Sequence, residues 1–241
     1  MNRTLTVAGK ELRSSLSSPV AYIFLGVFAI ASWFIFFFTE KFFALDEASL
    51  RGLFHWMPWL LLFLAPPLTM RLWADERRMG TWEILATTPV SAESLVFGKF
   101  LASLGLLVLG LLFTLSLPAV AAVYGDLDVG PVIGGYLGSA LLGAAFLAIG
   151  LVCSSLVQDQ FVALVLGWSV CIVMMVPGLS FWEGLASPRT ADALRQFGFG
   201  ARFEAIARGL VDLRDVAFYS VVTAFFLVLN SALIRGRRFS S

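Results

Sequence analysis

Apolar residues run along this chain in six long blocks separated by short polar stretches. The blocks are roughly Pro19–Phe38, Phe54–Met70, Phe100–Tyr124, Val132–Leu156, Phe161–Phe181 and Val216–Ile234. Each approaches the ~20 residues that a helix needs to cross the hydrocarbon of a bilayer. Alternation with a period of two is absent, which argues against a β-barrel. The pattern predicts an all-α polytopic membrane protein with six transmembrane helices. Ahead of the first block, Leu5, Ala8, Leu12 and Leu16 recur at helical spacing, while Arg3, Lys10, Glu11 and Arg13 face elsewhere. That pattern predicts an interfacial helix over residues 1–18, with a solvated tail as the alternative. Ser17-Ser18-Pro19 then turns the chain into the first span, since proline is tolerated in a first helical turn. Before the last block lies a polar segment, 182–215. In it Leu194 and Phe197, then Phe203, Ile206, Leu210 and Leu213, keep helical spacing around Gly198-x-Gly200. A pair of outer amphipathic helices is expected there.

Composition agrees with the blocks. Hydrophobic residues make up 59% of the chain and charged residues 14%, against about 25% charged in soluble domains. The formal net charge of +1 points neither to a nucleic-acid binder nor to an acidic tail. Little chain lies outside the blocks, so residues 1–241 read as a single transmembrane domain. The first block imitates a signal peptide, with Lys10 and Arg13 before it and Ala29-Ile30-Ala31 inside it. It runs on through Trp33–Phe38, however, and an uncleaved span is expected. Cys153 and Cys171 sit inside apolar blocks and read as small core residues. With the lone His55 they support neither a metal site nor a disulfide.

Lysine and arginine positions set the orientation. Arg3, Lys10 and Arg13, then Arg71, Arg77, Arg78 and Lys99, then Arg235, Arg237 and Arg238 fall on one side of a six-span chain. The positive-inside rule makes that side cytoplasmic, with both termini inside. Only Lys41 and Arg51 oppose it, until Arg189, Arg195, Arg202, Arg208 and Arg214 in the segment before the last span.

Within the spans, prolines and small residues are the punctuation. Pro66-Pro67, Pro118 and Pro177-Gly178 are expected as kinks or hinges, tolerated where neighbours re-satisfy the backbone. Gly134, Gly135, Gly138, Ser139, Gly143, Ala144 and Ala145 line the fourth span and permit close helix contact, within the bundle or at a subunit seam. None of the six spans carries Asp, Glu, Lys, Arg or His in its interior; His55 stands at an end. Ion-coupled carriers usually need such a group at mid-membrane. An embedded enzyme needs convergent polar groups. If this chain moves a cargo, the energy enters from outside the membrane.

The polar stretch from Arg71 to Lys99, RLWADERRMGTWEILATTPVSAESLVFGK, is the most informative. Six ionisable residues fall between Arg71 and Glu83. Gly80 breaks the helix leaving the second span. Thr81 caps a short helix, Trp82–Thr87, with Glu83 in its first turn, and Thr88-Pro89 stops it. Ser91 caps the next helix, with Glu93 in its first turn. Lys99 marks the membrane edge, where its stem snorkels. Trp82, Ile84 and Leu85 need an apolar groove, supplied by a partner or by the bundle itself; a plain solvated loop is the alternative.

This stretch strongly resembles the permease subunits of type-2 ABC transporters, closest to the gliding-motility-associated GldF-like branch. Pro67, Thr69, Met70, Arg71, Glu76, Arg77, Gly80, Thr81, Glu83, Leu85, Thr88, Pro89, Val90, Gly98 and Lys99 carry the likeness. Asp75 stands where glutamate is commoner. Lys10-Glu11-Leu12, Ser18-Pro19-x-Ala21-Tyr22 and Arg208-Gly209-Leu210-Val211-Asp212-Leu213-Arg214-Asp215, followed by Tyr219, extend it over essentially the whole chain. Arg202 stands where histidine is common.

The resemblance implies two six-span subunits, this chain with a second copy or with a GldG-like subunit, in a bacterial inner membrane. Each docks on a cytoplasmic ABC ATPase dimer. ATPase docking would fall to Arg77, Arg78, Gly80, Thr81, Trp82, Glu83, Ile84, Leu85 and Pro89. Arg71, Asp75, Glu76 and Lys99 would be membrane-edge charges, and the Val157–Gln160 turn a second, smaller contact. Arg208, Asp212, Arg214 and Asp215 would form an outer gate. No G-x-x-x-x-G-K-[ST] motif occurs, so ATP and Mg would be bound by the partner ATPase, and this chain would hold no cofactor and catalyse nothing. Membrane lipids surround it, and nucleic acid is not expected as a partner. The expected work is export, or mechanical action on an outer partner; an ATP-independent carrier or scaffold is the rival.

Overall fold

The computed structural model describes residues 3–39, 49–80, 90–178, 196 and 198–238. The described chain is helical: α1 (Arg3–Leu16), α2 (Pro19–Phe34), α3 (Arg51–Thr69), α4 (Arg71–Arg78), α5 (Ala92–Phe113), α6 (Ser116–Tyr124), α7 (Val129–Leu156), α8 (Gln160–Met175), α9 (Phe199–Ala207) and α10 (Leu213–Arg238). No strand occurs among the described residues. Among the described residues, six helical stretches are long and apolar enough to cross a membrane: Pro19–Thr39, Arg51–Arg78, Ala92–Tyr124, Val129–Leu156, Gln160–Gly178 and Leu213–Gly236. The protein is an all-α, multi-pass membrane protein. Helices are the economical solution in lipid, because every backbone N–H and C=O finds its partner within the span.

Local chemistry sets the ends and breaks. Ser18 caps α2, its hydroxyl accepting from the Val20 N–H at 3.3 Å, with Pro19 in the first turn. Ser91 caps α5 by accepting from Ser94 N–H at 3.2 Å, and Glu93 lies in that first turn. A five-residue π turn, Ile35–Thr39, extends α2. Pro118 breaks the third span: α5 ends at Phe113, and the chain turns at Thr114, the residue four before the proline whose carbonyl the ring would strike. The Thr114 carbonyl accepts instead from Leu117 N–H at 3.0 Å and from the Tyr136 hydroxyl of α7 at 2.9 Å.

The most enclosed span is α7. It packs against α3, α5, α8, α9 and α10. Its small residues are where those neighbours come closest. A Cβ at Gly135 would lie 2.4 Å from the Phe54 ring, and one at Gly143 would lie 2.8 Å from Leu107. At Gly150 it would lie 2.1 Å from Thr69 Oγ1. The glycine stripe is therefore filled by this chain's own helices, and a subunit seam along it is not what it serves. The two cysteines are buried free thiols, as core residues should be.

Two opposite ends of the bundle are built differently. One end gathers α1, α4, the α7–α8 turn and the start of α5. The other gathers α9, the start of α3 and the start of α10. A helix forms over Arg3–Leu16, so the solvated-tail alternative falls, but its packed face takes Val7 with Ala8, Leu12 and Leu16 and leaves the expected Leu5 exposed. It lies along α5, with Val7 against Gly98 and Leu12 against Gly105.

Candidate functional site

The site is assembled at the α4 end. The second span does not stop at the membrane edge. After Pro66-Pro67 its helix is interrupted at Met70 and restarts as α4, and Gly80, at φ 70°, ends it as expected. A restarted helix exposes N–H groups with no partner of their own. Ser154, from the far end of α7, supplies it. Its hydroxyl accepts from Trp73 N–H at 3.1 Å and Ala74 N–H at 3.2 Å, and donates to the Met70 carbonyl at 2.8 Å. One side chain thus ties the start of α4 to the core span.

Further bonds fasten the rest of α4. Arg77 donates to the Ser155 carbonyl at 3.1 Å. Gln160, opening α8, donates to Asp75. Arg71 donates to Ser18 at the α1–α2 corner. The Val157–Gln160 turn is thus bound to α4.

Lys99 is the centre of the arrangement. Its ammonium donates to Glu76 of α4 at 2.6 Å and to Glu11 of α1 at 2.8 Å, and it lies 4.8 Å from the Trp73 ring centroid. The side chain is 2% exposed. The expectation of a lysine snorkelling at the membrane edge is corrected: Lys99 is enclosed among three helices. Two carboxylates and an aromatic face offset the desolvation that snorkelling would have avoided. Glu11 is corrected with it, because it turns inward to Lys99 instead of lying on a solvated face. Beside this cluster a cavity of about 370 Å³ is lined by Lys10, Glu11, Arg71, Asp75, Glu76 and Lys99, among others. Arg78 stands in the last turn of α4, with Met79 exposed next to it. Thr81, Trp82, Glu83, Ile84, Leu85 and Pro89, and with them the expected Trp82–Thr87 helix, lie outside the described residues.

At the opposite end α9 buries Phe199, Phe203 and Ile206 on α7 and stops at Gly209, which adopts φ 87°. The stop leaves Leu210 and Leu213 71% and 80% exposed, so the apolar face expected to run on through them ends at Ile206. The first outer helix, with Leu194 and Phe197, lies outside the described residues. The side chains expected at an outer gate, those of Arg208, Asp212, Arg214 and Asp215, do not converge on one network. Asp215 pairs instead with Arg202 at 2.7 Å, and Arg202 also donates to the Gln196 carbonyl and covers the Phe218 ring. Arg208 lies on the surface near Glu204, and Asp212 accepts from the Arg214 backbone at the start of α10.

Sequence reasoning missed Glu11, Trp73, Ser154, Ser155 and Arg202 as members of these sites. A signal was present for the first: a lone lysine at the head of an apolar run needs a counter-charge. For Ser154 there was none, because a serine in a small-residue span reads as packing.

The description ABC-2 family transporter protein matches residues 43–198, well over half of the chain. The chain belongs to the ABC-2 transporter family. No curated protein matches it. ABC-2 permeases are membrane subunits of ABC transporters, generally non-catalytic, that work with a cytoplasmic ATPase. The matched region spans α3 to α8 and so contains α4, the serines and Gln160 that fasten it, and Lys99.

Proposed function

We propose that this ABC-2 permease receives the work of a separate cytoplasmic ATPase dimer through the segment 71–99, and spends it on export or on mechanical action upon an outer partner. The reading rests on one observation above the others. The α4 helix continues a span and is bonded to α5, to α7, to the opening of α8 and to the Ser18 cap of α2, and through Lys99 to α1, so a displacement of α4 is delivered to the bundle instead of being absorbed by a loop. The positive-inside count supports a cytoplasmic side for α4 and both termini, and the motif likeness supports a bacterial inner membrane. Trp82, Ile84 and Leu85 supply the apolar contact to the ATPase, with Arg77, Arg78, Gly80, Thr81, Glu83 and Pro89 framing it. ATP and Mg belong to that partner. The functional unit contains two permease subunits, a second copy of this chain or a GldG-like one, as the motif likeness to the GldF-like branch favours. Arg202 and Asp215 tie α9 to α10 as an outer gate.

The test is affinity purification from the native host. The wild-type chain is expected to bring down a stoichiometric ATPase. Charge reversal at Arg77, Arg78 and Glu83 together should cut that yield at least tenfold while membrane insertion stays intact. Undiminished ATPase recovery with the reversed chain would refute docking at this segment.

A further inference from the structure

Glu11 and Glu76 come from helices far apart in the chain, yet they share one ammonium. Glu11 belongs to α1 and Glu76 to α4, and Lys99 reaches both from α5. Packing supports the same junction. A Cβ at Gly98 would lie 2.5 Å from Val7, so α1 sits directly on the α5 backbone one residue before Lys99. Arg71 adds a second tie, from the start of α4 to Ser18 at the corner where α1 becomes α2. An amphipathic helix that only anchored the chain in lipid would turn its charged face to water. Here a charged residue of α1 is instead used up inside the protein. One lysine between two carboxylates also makes each arm asymmetric in its consequences. Removing one carboxylate leaves a balanced pair, whereas removing the lysine leaves two acids facing each other.

We propose that Lys99 is a positioning residue that makes α1 a driven part of the coupling apparatus: it locks Glu11 of α1 to Glu76 of α4, so a push on the docking segment reaches α2 through α1. This rests on the docking reading above, and the experiment separates the two. The assembly of permease and ATPase is purified, Cys153 and Cys171 are replaced by alanine, and spin labels are placed in pairs through Leu5→Cys, Met79→Cys and Val123→Cys. All three positions are exposed. Distances are measured without nucleotide and with ATP trapped by vanadate.

The Met79–Val123 distance, from α4 to the far end of α6, is expected to change between the states. The Leu5–Met79 distance should change by less than ~2 Å, the scale of an ordinary helix shift. In Glu11→Gln, with ATPase still bound, the Leu5–Met79 distance should become state-dependent. A constant Met79–Val123 distance would sink the docking reading itself. A moving Met79 that leaves Leu5 behind in the wild type would overturn the lock. So would a Glu11→Gln variant whose α1 still follows α4. If that variant fails to assemble, the wild-type distances decide alone.

Discussion

At the scale of single residues, Lys99 concentrates the energetics. A buried ion pair is not a strong net stabiliser, but breaking one side of it is costly, about 3–5 kcal/mol, because an uncompensated charge is left behind. Lys99→Met should therefore destabilise the chain by about that amount, seen as a lowered midpoint in denaturant titration of the purified protein. The triple variant Lys99→Met, Glu11→Gln, Glu76→Gln should recover most of the loss, since no charge remains stranded. Equal loss in the single and triple variants would mean that packing, and not charge, holds the junction. Little of this was legible beforehand. Lys99 was visible as a membrane-edge lysine, but Glu11 lies 88 positions away in the chain, and only the folded α1–α5 contact brings it near. Caps were legible because their logic is local. Ser18 and Ser91 stand immediately before their helices and bond within three residues. Ser154 does the same work for α4 from another helix, which no local rule detects.

At the scale of elements, the glycines divide into two kinds. Those of α7 from Gly134 to Gly150 meet neighbouring helices, while a Cβ added at Gly9 in α1 would meet open space. Gly135→Ala should destabilise by about 1–3 kcal/mol, because its methyl would overlap the Phe54 ring and force repacking. Gly9→Ala should stabilise by about 0.5–1 kcal/mol, since alanine is the better helix former and displaces nothing. Opposite signs in thermal unfolding of the two variants are the expected outcome; the same sign for both would contradict the packing. The six spans were readable from hydropathy because lipid leaves a backbone so few choices. The extent of α9 was not. Its apolar spacing continues through Leu210 and Leu213, but the chain leaves the helix at Gly209, where a left-handed turn brings it against Gly130 and Pro131 of α7. Helical periodicity registers faces and is blind to such a turn.

At the scale of the whole molecule, the two ends of the bundle have distinct characters. At the α4 end, α1, α4 and α5 close around one buried lysine, and the α7–α8 corner fastens α4. The other end is a short helix, α9, resting on the glycines of α7 and held by Arg202 and Asp215. Spans free of interior charge lie between. That division fits the proposed function, in which a motor on one side of the membrane acts on the other. In the proposed function the motor meets the α4 end. That contact is tested most directly by a photo-activated cross-linker attached at Met79→Cys, with a second attached at Asp126→Cys between α6 and α7, in native membranes. Met79 is expected to capture an ATP-binding chain, and Asp126 is not. Capture from Asp126 with none from Met79 would contradict that contact.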